Sequence, residues 1–298
     1  AASDVYKRQT YDNQYLDLVE DILNNGEVNP CRTGNNTLVK LNRVLTHDLA
    51  EGFPILTFRP LPFKGCRVEL ECFLMGNTDK KYYQDRGCQY WNSWANPKIA
   101  DPKDKEAQFK ERDLGPIYGY QWVAFNAPYK RYDVDNKHLG INQIKRVVDT
   151  LKVNPYDRRL IVNAWNPSQE DQMALPPCVY VFQFNYVGGR LHITVNQRSC
   201  DLILGVPTDF QFYSLLLHLM AQTVGMVPGT VTLNLCNCHI YDNHVELVKD
   251  NLMKWRKEQF DLPKLILEPE ANVFNFRYEM AKLDNYQHGD KVTFPIAV

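Results

Sequence analysis

The chain has 298 residues, with 34 Lys and Arg against 35 Asp and Glu and a formal net charge of -1. That balance excludes a broad nucleic-acid or anionic-membrane surface, which needs a basic excess, and 44% hydrophobic with 12% aromatic residues excludes a disordered or collagen-like chain. No apolar run approaches the roughly 18 residues that cross a bilayer, and the polar start AASDVYKRQTYDNQ has no signal-peptide core, so a cytoplasmic protein is expected.

Residues 1–9 do not open on Met and are expected to be a leader without a structural role, leaving 10–298 as one domain. From Tyr11, the apolar positions Tyr15, Leu16, Val19, Ile22 and Leu23 recur at helical spacing up to Gly26, predicting an amphipathic helix with a glycine cap. Residues 68–75, ended by Gly76, read as a buried helix whose Glu69 and Glu71 need a reason to be there. Residues 96–113 are the most charged and least periodic stretch, a solvated excursion from the core. Ile141, Ile144, Val148 and Leu151 form another helical stripe, Asn154-Pro155 breaks it, and 160–165 reads as a buried strand. Residues 179–187 put Tyr180, Phe182, Phe184 and Tyr186 on one face. Gly188-Gly189 supplies the positive φ angles of a tight turn, and Leu191, Ile193 and Val195 alternate on the return. A long buried helix at 212–224 and a strand at 230–235 follow. Without strict βαβ alternation, the pattern predicts a mixed α/β fold around one large sheet.

Eight cysteines are scattered without a disulfide-scaffold pattern, and in a reducing compartment they are expected as free thiols. Cys236-Asn237-Cys238-His239 lacks a second ligand pair, so no metal is expected. Pro176-Pro177-Cys178 places a thiol after a stiff dipeptide at the mouth of a strand. Such a tripeptide is more often a buried strand-start cysteine than a nucleophile. A reactive thiolate needs cations nearby, and Arg32, Arg158, Arg159 and Arg198 all sit at turns or strand ends. Arg32-Thr33-Gly34 and Gln197-Arg198-Ser199 join a guanidinium fork to hydroxyl and backbone donors, which suits a phosphate monoester. Arg158 and Arg159 point to opposite faces of an extended backbone, so serving one site requires a loop or a partner subunit.

Ten ordered motifs resemble the thymidylate synthase family. They are Arg32-Thr-Gly, ELECFLMGNT around Glu69, YWNSWA with Trp91 and Trp94, DLGPIYGYQW, Arg158-Arg159 with IVNAWNP, LPPC, QRSCD, LGVPTDF, CHIYDNHVE and the terminal PIAV. The resemblance implies an α/β homodimer of six-stranded sheets packed back to back, each site borrowing Arg158 and Arg159 from its partner. It implies 5,10-methylenetetrahydrofolate as cosubstrate and Cys178 as the nucleophile that attacks carbon 6 of a pyrimidine nucleotide. Carried over by position, Arg32, Arg198, Ser199 and the borrowed arginines hold the phosphate, His239 and Tyr241 the sugar, and Gln197, Asp201 and Asp209 lie around the base. Glu69 and Tyr118 move protons through ordered water. Trp91, Trp94, Leu175, Asp201, Gly205 and Val298 surround the folate.

One departure chooses the base. Asp209 in GVPTDF stands where thymidylate synthases have an asparagine that reads uracil oxygen 4 and nitrogen 3. Cytosine reverses that donor–acceptor pattern, and a protonated aspartate, one donor and one acceptor, matches it. Aspartate here is the residue of the family's deoxycytidylate hydroxymethylases. The expected substrate is therefore dCMP and the expected product 5-hydroxymethyl-dCMP, a phage-type modified nucleotide made in the host cytoplasm. Methylation of dCMP and ordinary thymidylate synthesis from dUMP are the alternatives. Val179 stands in place of a histidine, in keeping with a changed base, and Cys200 in place of a glycine, which is assigned nothing.

Overall fold

The computed structural model describes residues 10–31, 34–94 and 111–296. The expected leader at 1–9, most of the charged excursion, Arg32 and Val298 lie outside the described residues. Helix α1 runs Tyr11–Asn25, capped by the Thr10 hydroxyl accepting from the Asn13 N–H. Gly26 ends it in extended backbone (φ -71°), where an added Cβ would press on the Ile22 carbonyl and Leu38. Strands β1 (Glu27–Pro30) and β2 (Asn36–Asp48) come next, then α2 (Phe63–Met75), α3 (Lys80–Asp85), α4 (Tyr118–Ala124) and α5 (Gln143–Val153). Ile141, read from the sequence as part of the α5 stripe, precedes the helix. It is exposed, bridging Phe125, while Val147 takes its place among the buried residues.

Strands β3 (Ile161–Asn163), β4 (Val179–Val187), β5 (Arg190–Gln197), β6 (Cys200–Asp201) and β7 (Val227–Tyr241) complete the main sheet. It has seven strands where the resemblance implied six, in the order β1-β2-β7-β5-β4-β3, the additional pairing coming from the two-residue β6, which joins β7 beyond the end of β5. Gly188 (φ 60°) and Gly189 (φ 81°) make the predicted β4–β5 turn. β5 and β7 run parallel, the other main-sheet pairs except β6–β7 antiparallel. Alternation assigns the faces: Leu191, Ile193, Val195, Val231, Leu233 and Leu235 are buried, while Thr194, Asn196, Thr232 and Asn234 on the opposite face stay half-buried. On that second face Asn234 donates to Asn196 at 3.0 Å. Leu41, Val44, Ile161 and Val187 of the main-sheet strands are exposed.

Helix α6 (Gly205–Val224) lies against the buried face, starting seven residues earlier than the apolar run predicted because GVPTDFQ forms its first two turns. It is apolar nearly all round, the pattern of a core helix, and closes at Gly225 (φ 70°) with N–H bonds back to Ala221 and Gln222. The 160–165 strand shortens to β3, and the 230–235 strand lengthens to the fifteen residues of β7. Helix α7 (Asp242–Lys257) and a separate hairpin, β8 (Lys264–Leu267) with β9 (Ala281–Asp284), follow.

An aromatic cluster fixes α2 against α4 and α6. The Phe73 ring stacks on Tyr118 (5.1 Å between centroids, 17°) and meets Trp122 and Phe212 edge-on at 5.4 and 5.5 Å. Gly119 allows this approach, since a Cβ there would collide with the Phe73 backbone. Glu71 faces away from Glu69. It accepts from the Tyr82 hydroxyl at 2.6 Å and the Tyr278 N–H at 2.8 Å, tying α2 to the chain before β9.

Candidate active site

A cavity of about 490 Å³ opens between α2, α4, the start of α6 and residues 291–296. Glu69, Trp91, Trp94, Tyr118, Leu175, Asp201, Gly205, Asp209 and Tyr241 all line it, so nine of the residues singled out in the sequence meet in one place. Glu69 reaches it because α2 turns that side chain inward. The carboxyl accepts from the Trp91 indole N–H at 2.8 Å. Burial raises it to about 8, the Trp91 bond pulls it down, and the Asp209 carboxyl adds to the rise.

Asp209 sits on the second turn of α6. Its Oδ2 accepts from Gln197 Nε2 at 2.8 Å, and the same amide donates to the Ser199 carbonyl at 3.2 Å. Burial lifts this carboxyl to about 7 against the Gln197 bond, with Asp201 adding to the rise. Asp201, on β6, accepts from the Ile203 and Leu204 N–H groups at 3.0 and 3.2 Å and so shapes the turn into α6. Gln197 is buried behind Asp209, and its Oε1 has no hydrogen-bond partner among the described residues.

Cys178 is not among the residues that line the cavity: it lies half-buried immediately before β4, and its backbone N–H donates at 2.7 Å to the hydroxyl of Tyr118, which does line it. Arg198 braces this corner. Its guanidinium donates to the carbonyls of Pro177 at 2.9 Å and Pro176 at 3.0 Å, while its N–H donates to the Cys178 carbonyl at 2.9 Å. The cationic surroundings expected for the thiol are therefore only partly present. Burial and the Asp209 carboxyl push Cys178 up, with Arg198 and Tyr118 opposing, and the net direction is upward.

His239 is buried under Tyr241, ring centroids 5.2 Å apart, and is pushed down by burial. Ser199 is half-buried beside Arg198. Arg158 and Arg159 do not join the cavity. Both are exposed, and Arg159 is paired with Asp157 at 2.9 Å.

The cavity also uses residues the sequence reading passed over. Phe73, Phe212 and Tyr213 form its floor, and their apolar helical spacing reads as ordinary core. Arg59 contributes a buried guanidinium that donates to the Ile203 carbonyl and packs on the Phe294 ring at 5.6 Å. Lys291 supplies an exposed ammonium at the rim. No sequence signal marked either cation. Flat apolar walls, a carboxylate at Asp201 and two cations suit a fused heteroaromatic ring carrying an acidic tail.

The sequence pattern that defines the thymidylate synthase family matches residues 13–298. The bifunctional dihydrofolate reductase-thymidylate synthase of Paramecium tetraurelia is 36% identical over 287 residues, covering 96% of this chain. The chain spans 61% of that relative's length. With the motifs and the family pattern in agreement over almost its full length, the chain belongs to the thymidylate synthase family.

Proposed function

We propose that the protein transfers a one-carbon unit from 5,10-methylenetetrahydrofolate to carbon 5 of dCMP, giving 5-hydroxymethyl-dCMP. The observation that carries the choice of base is Asp209: a carboxyl on the cavity wall, raised by burial to about 7, with one oxygen already accepting from Gln197. In its neutral form it offers a donor to cytosine nitrogen 3 and an acceptor to the 4-amino group. Uracil reverses both positions, leaving buried polar groups mismatched.

The remaining roles follow from position. Cys178 forms a bond to carbon 6, which makes carbon 5 nucleophilic, and is expelled when the product is released. Neutral Asp209 assists, because its ionised form is one of the charges that push the Cys178 thiol up. Glu69, raised to about 8, holds or releases a proton near neutral pH and removes the carbon 5 proton through water. Tyr118 fixes the Cys178 backbone. The folate supplies the carbon at the formaldehyde oxidation level. Trp91, Trp94, Leu175 and Gly205 would flank its ring with Asp201 facing it, and Arg59 and Lys291 would meet its acidic tail. Arg198, Ser199 and Arg32 are assigned to the phosphate and His239 and Tyr241 to the sugar. Exposed Arg158 and Arg159 are assigned to the site of a second copy, docked through the sheet face that leaves Leu41 and Val44 uncovered.

The hydroxymethyl product, in which water adds to the exocyclic methylene, rests on the aspartate that marks deoxycytidylate hydroxymethylases. Methylation of dCMP is the second reading, favoured by the apolar wall of Trp91, Trp94, Leu175 and Phe212, which would exclude that water. The likeness to a protein named a thymidylate synthase favours dUMP as the third. Incubation with methylenetetrahydrofolate and dCMP, dUMP or CMP, followed by mass spectrometry of the nucleotide, separates them. A gain of formaldehyde by dCMP alone is expected, and turnover of dUMP alone overturns the assignment of the base.

A further inference from the structure

Lys80 has no part in the reaction as proposed, yet its side chain is only 6% exposed, a rare condition for an ammonium. It opens α3, where its backbone N–H donates to the Arg112 carbonyl at 2.7 Å. Its Nζ donates to the carbonyls of Trp94 at 2.9 Å and Asn92 at 3.3 Å, with the Glu111 carboxylate at 3.5 Å. Three acceptors thus meet the three donors of the ammonium. Glu111 is 80% exposed and holds weakly, so the two carbonyls carry the anchorage.

Both carbonyls belong to the turn at 89–94. Its own backbone bonds include Asn92 N–H to Gln89 at 3.2 Å and Trp94 N–H to Trp91 at 3.0 Å. The turn presents Trp91 and Trp94 to the cavity, and the Trp91 indole holds the Glu69 carboxyl. We propose that Lys80 is a positioning residue: its buried ammonium fixes the turn, and through it both tryptophans of the folate wall and the orientation of Glu69. This rests on the function proposed above.

Lys80→Met keeps the stem and removes the charge. Folate affinity, read by quenching of tryptophan fluorescence with nucleotide bound, is expected to weaken about tenfold, or ~1.4 kcal/mol. The folate KM rises with it while the nucleotide KM stays unchanged. Lys80→Arg keeps the charge but replaces a compact donor by a planar fork, so it is expected to fold and to show a smaller loss of the same kind. If Lys80→Met does not fold, the arginine variant carries the test. A folded Lys80 variant with wild-type folate affinity and KM overturns the inference. A wild-type protein that neither binds nor uses the folate overturns the proposed function, and the inference with it.

Discussion

Asp209 and Glu69 are carboxyls that the fold raises to about 7 and about 8, so both titrate near neutral pH. If neutral Asp209 reads cytosine, kcat/KM for dCMP falls as pH rises through about 7. The sign for stability is the same. Both groups bind protons more tightly folded than unfolded, so their contribution is full below the ordinary carboxylate range and is lost as pH rises through about 7 to 8. Asp209→Asn removes one such group. It is expected to stabilise the protein at pH 8 by about 1–2 kcal/mol, seen as a higher Tm, because an amide carries no ionisation cost. It should also move base preference from dCMP toward dUMP by at least about a hundredfold. A variant that keeps its dCMP preference contradicts the reading of Asp209. The choice of base was legible in the sequence because it depends on which atoms one side chain offers. The protonation state was not, since it comes from burial between α2 and α6. Nor was the upward shift of Cys178, because no motif shows how far the thiol is buried or that the Asp209 carboxyl stands near it.

The site depends on how closely α4 approaches α2. Gly119→Ala would drive a methyl into the Phe73 backbone, and overpacking of this kind costs about 1–3 kcal/mol. A lower Tm with reduced folate affinity is expected, because the Tyr118 and Trp91 rings both pack on Phe73. An unchanged Tm would show that α4 can shift without penalty. Elements whose apolar period ends at a turn residue were readable: α2 at Gly76 and the β4–β5 hairpin at Gly188 and Gly189. Those whose period is diluted by function or by a polar face were not. In the sequence β7 shows only six residues of strand pattern because Asn237 and His239 interrupt its second half, and polar Thr208 and Asp209 mask the first turns of α6. β2, with Leu41 and Val44 outward and Lys40 and Arg43 paired to Asp21, gave no clean alternation.

A single copy leaves Arg158 and Arg159 exposed and outside the cavity lining, and Leu41, Val44, Ile161 and Val187 exposed on the sheet strands. If two copies pack through that sheet, each site needs the other's arginines. Mixing inactive Cys178→Ala protein with an inactive Arg158→Ala, Arg159→Ala double variant should then restore about a quarter of wild-type activity, since half the dimers are mixed and each holds one intact site. No recovery after subunit exchange would place the arginines elsewhere. The motifs implied this arrangement by resemblance, and the exposure of both arginines supports it. The substrate and the product are tested most directly by the mass of the nucleotide formed from dCMP and from dUMP with methylenetetrahydrofolate. dCMP is expected to gain the mass of formaldehyde while dUMP is left unchanged. Conversion of dUMP to dTMP with dCMP untouched would contradict that expectation.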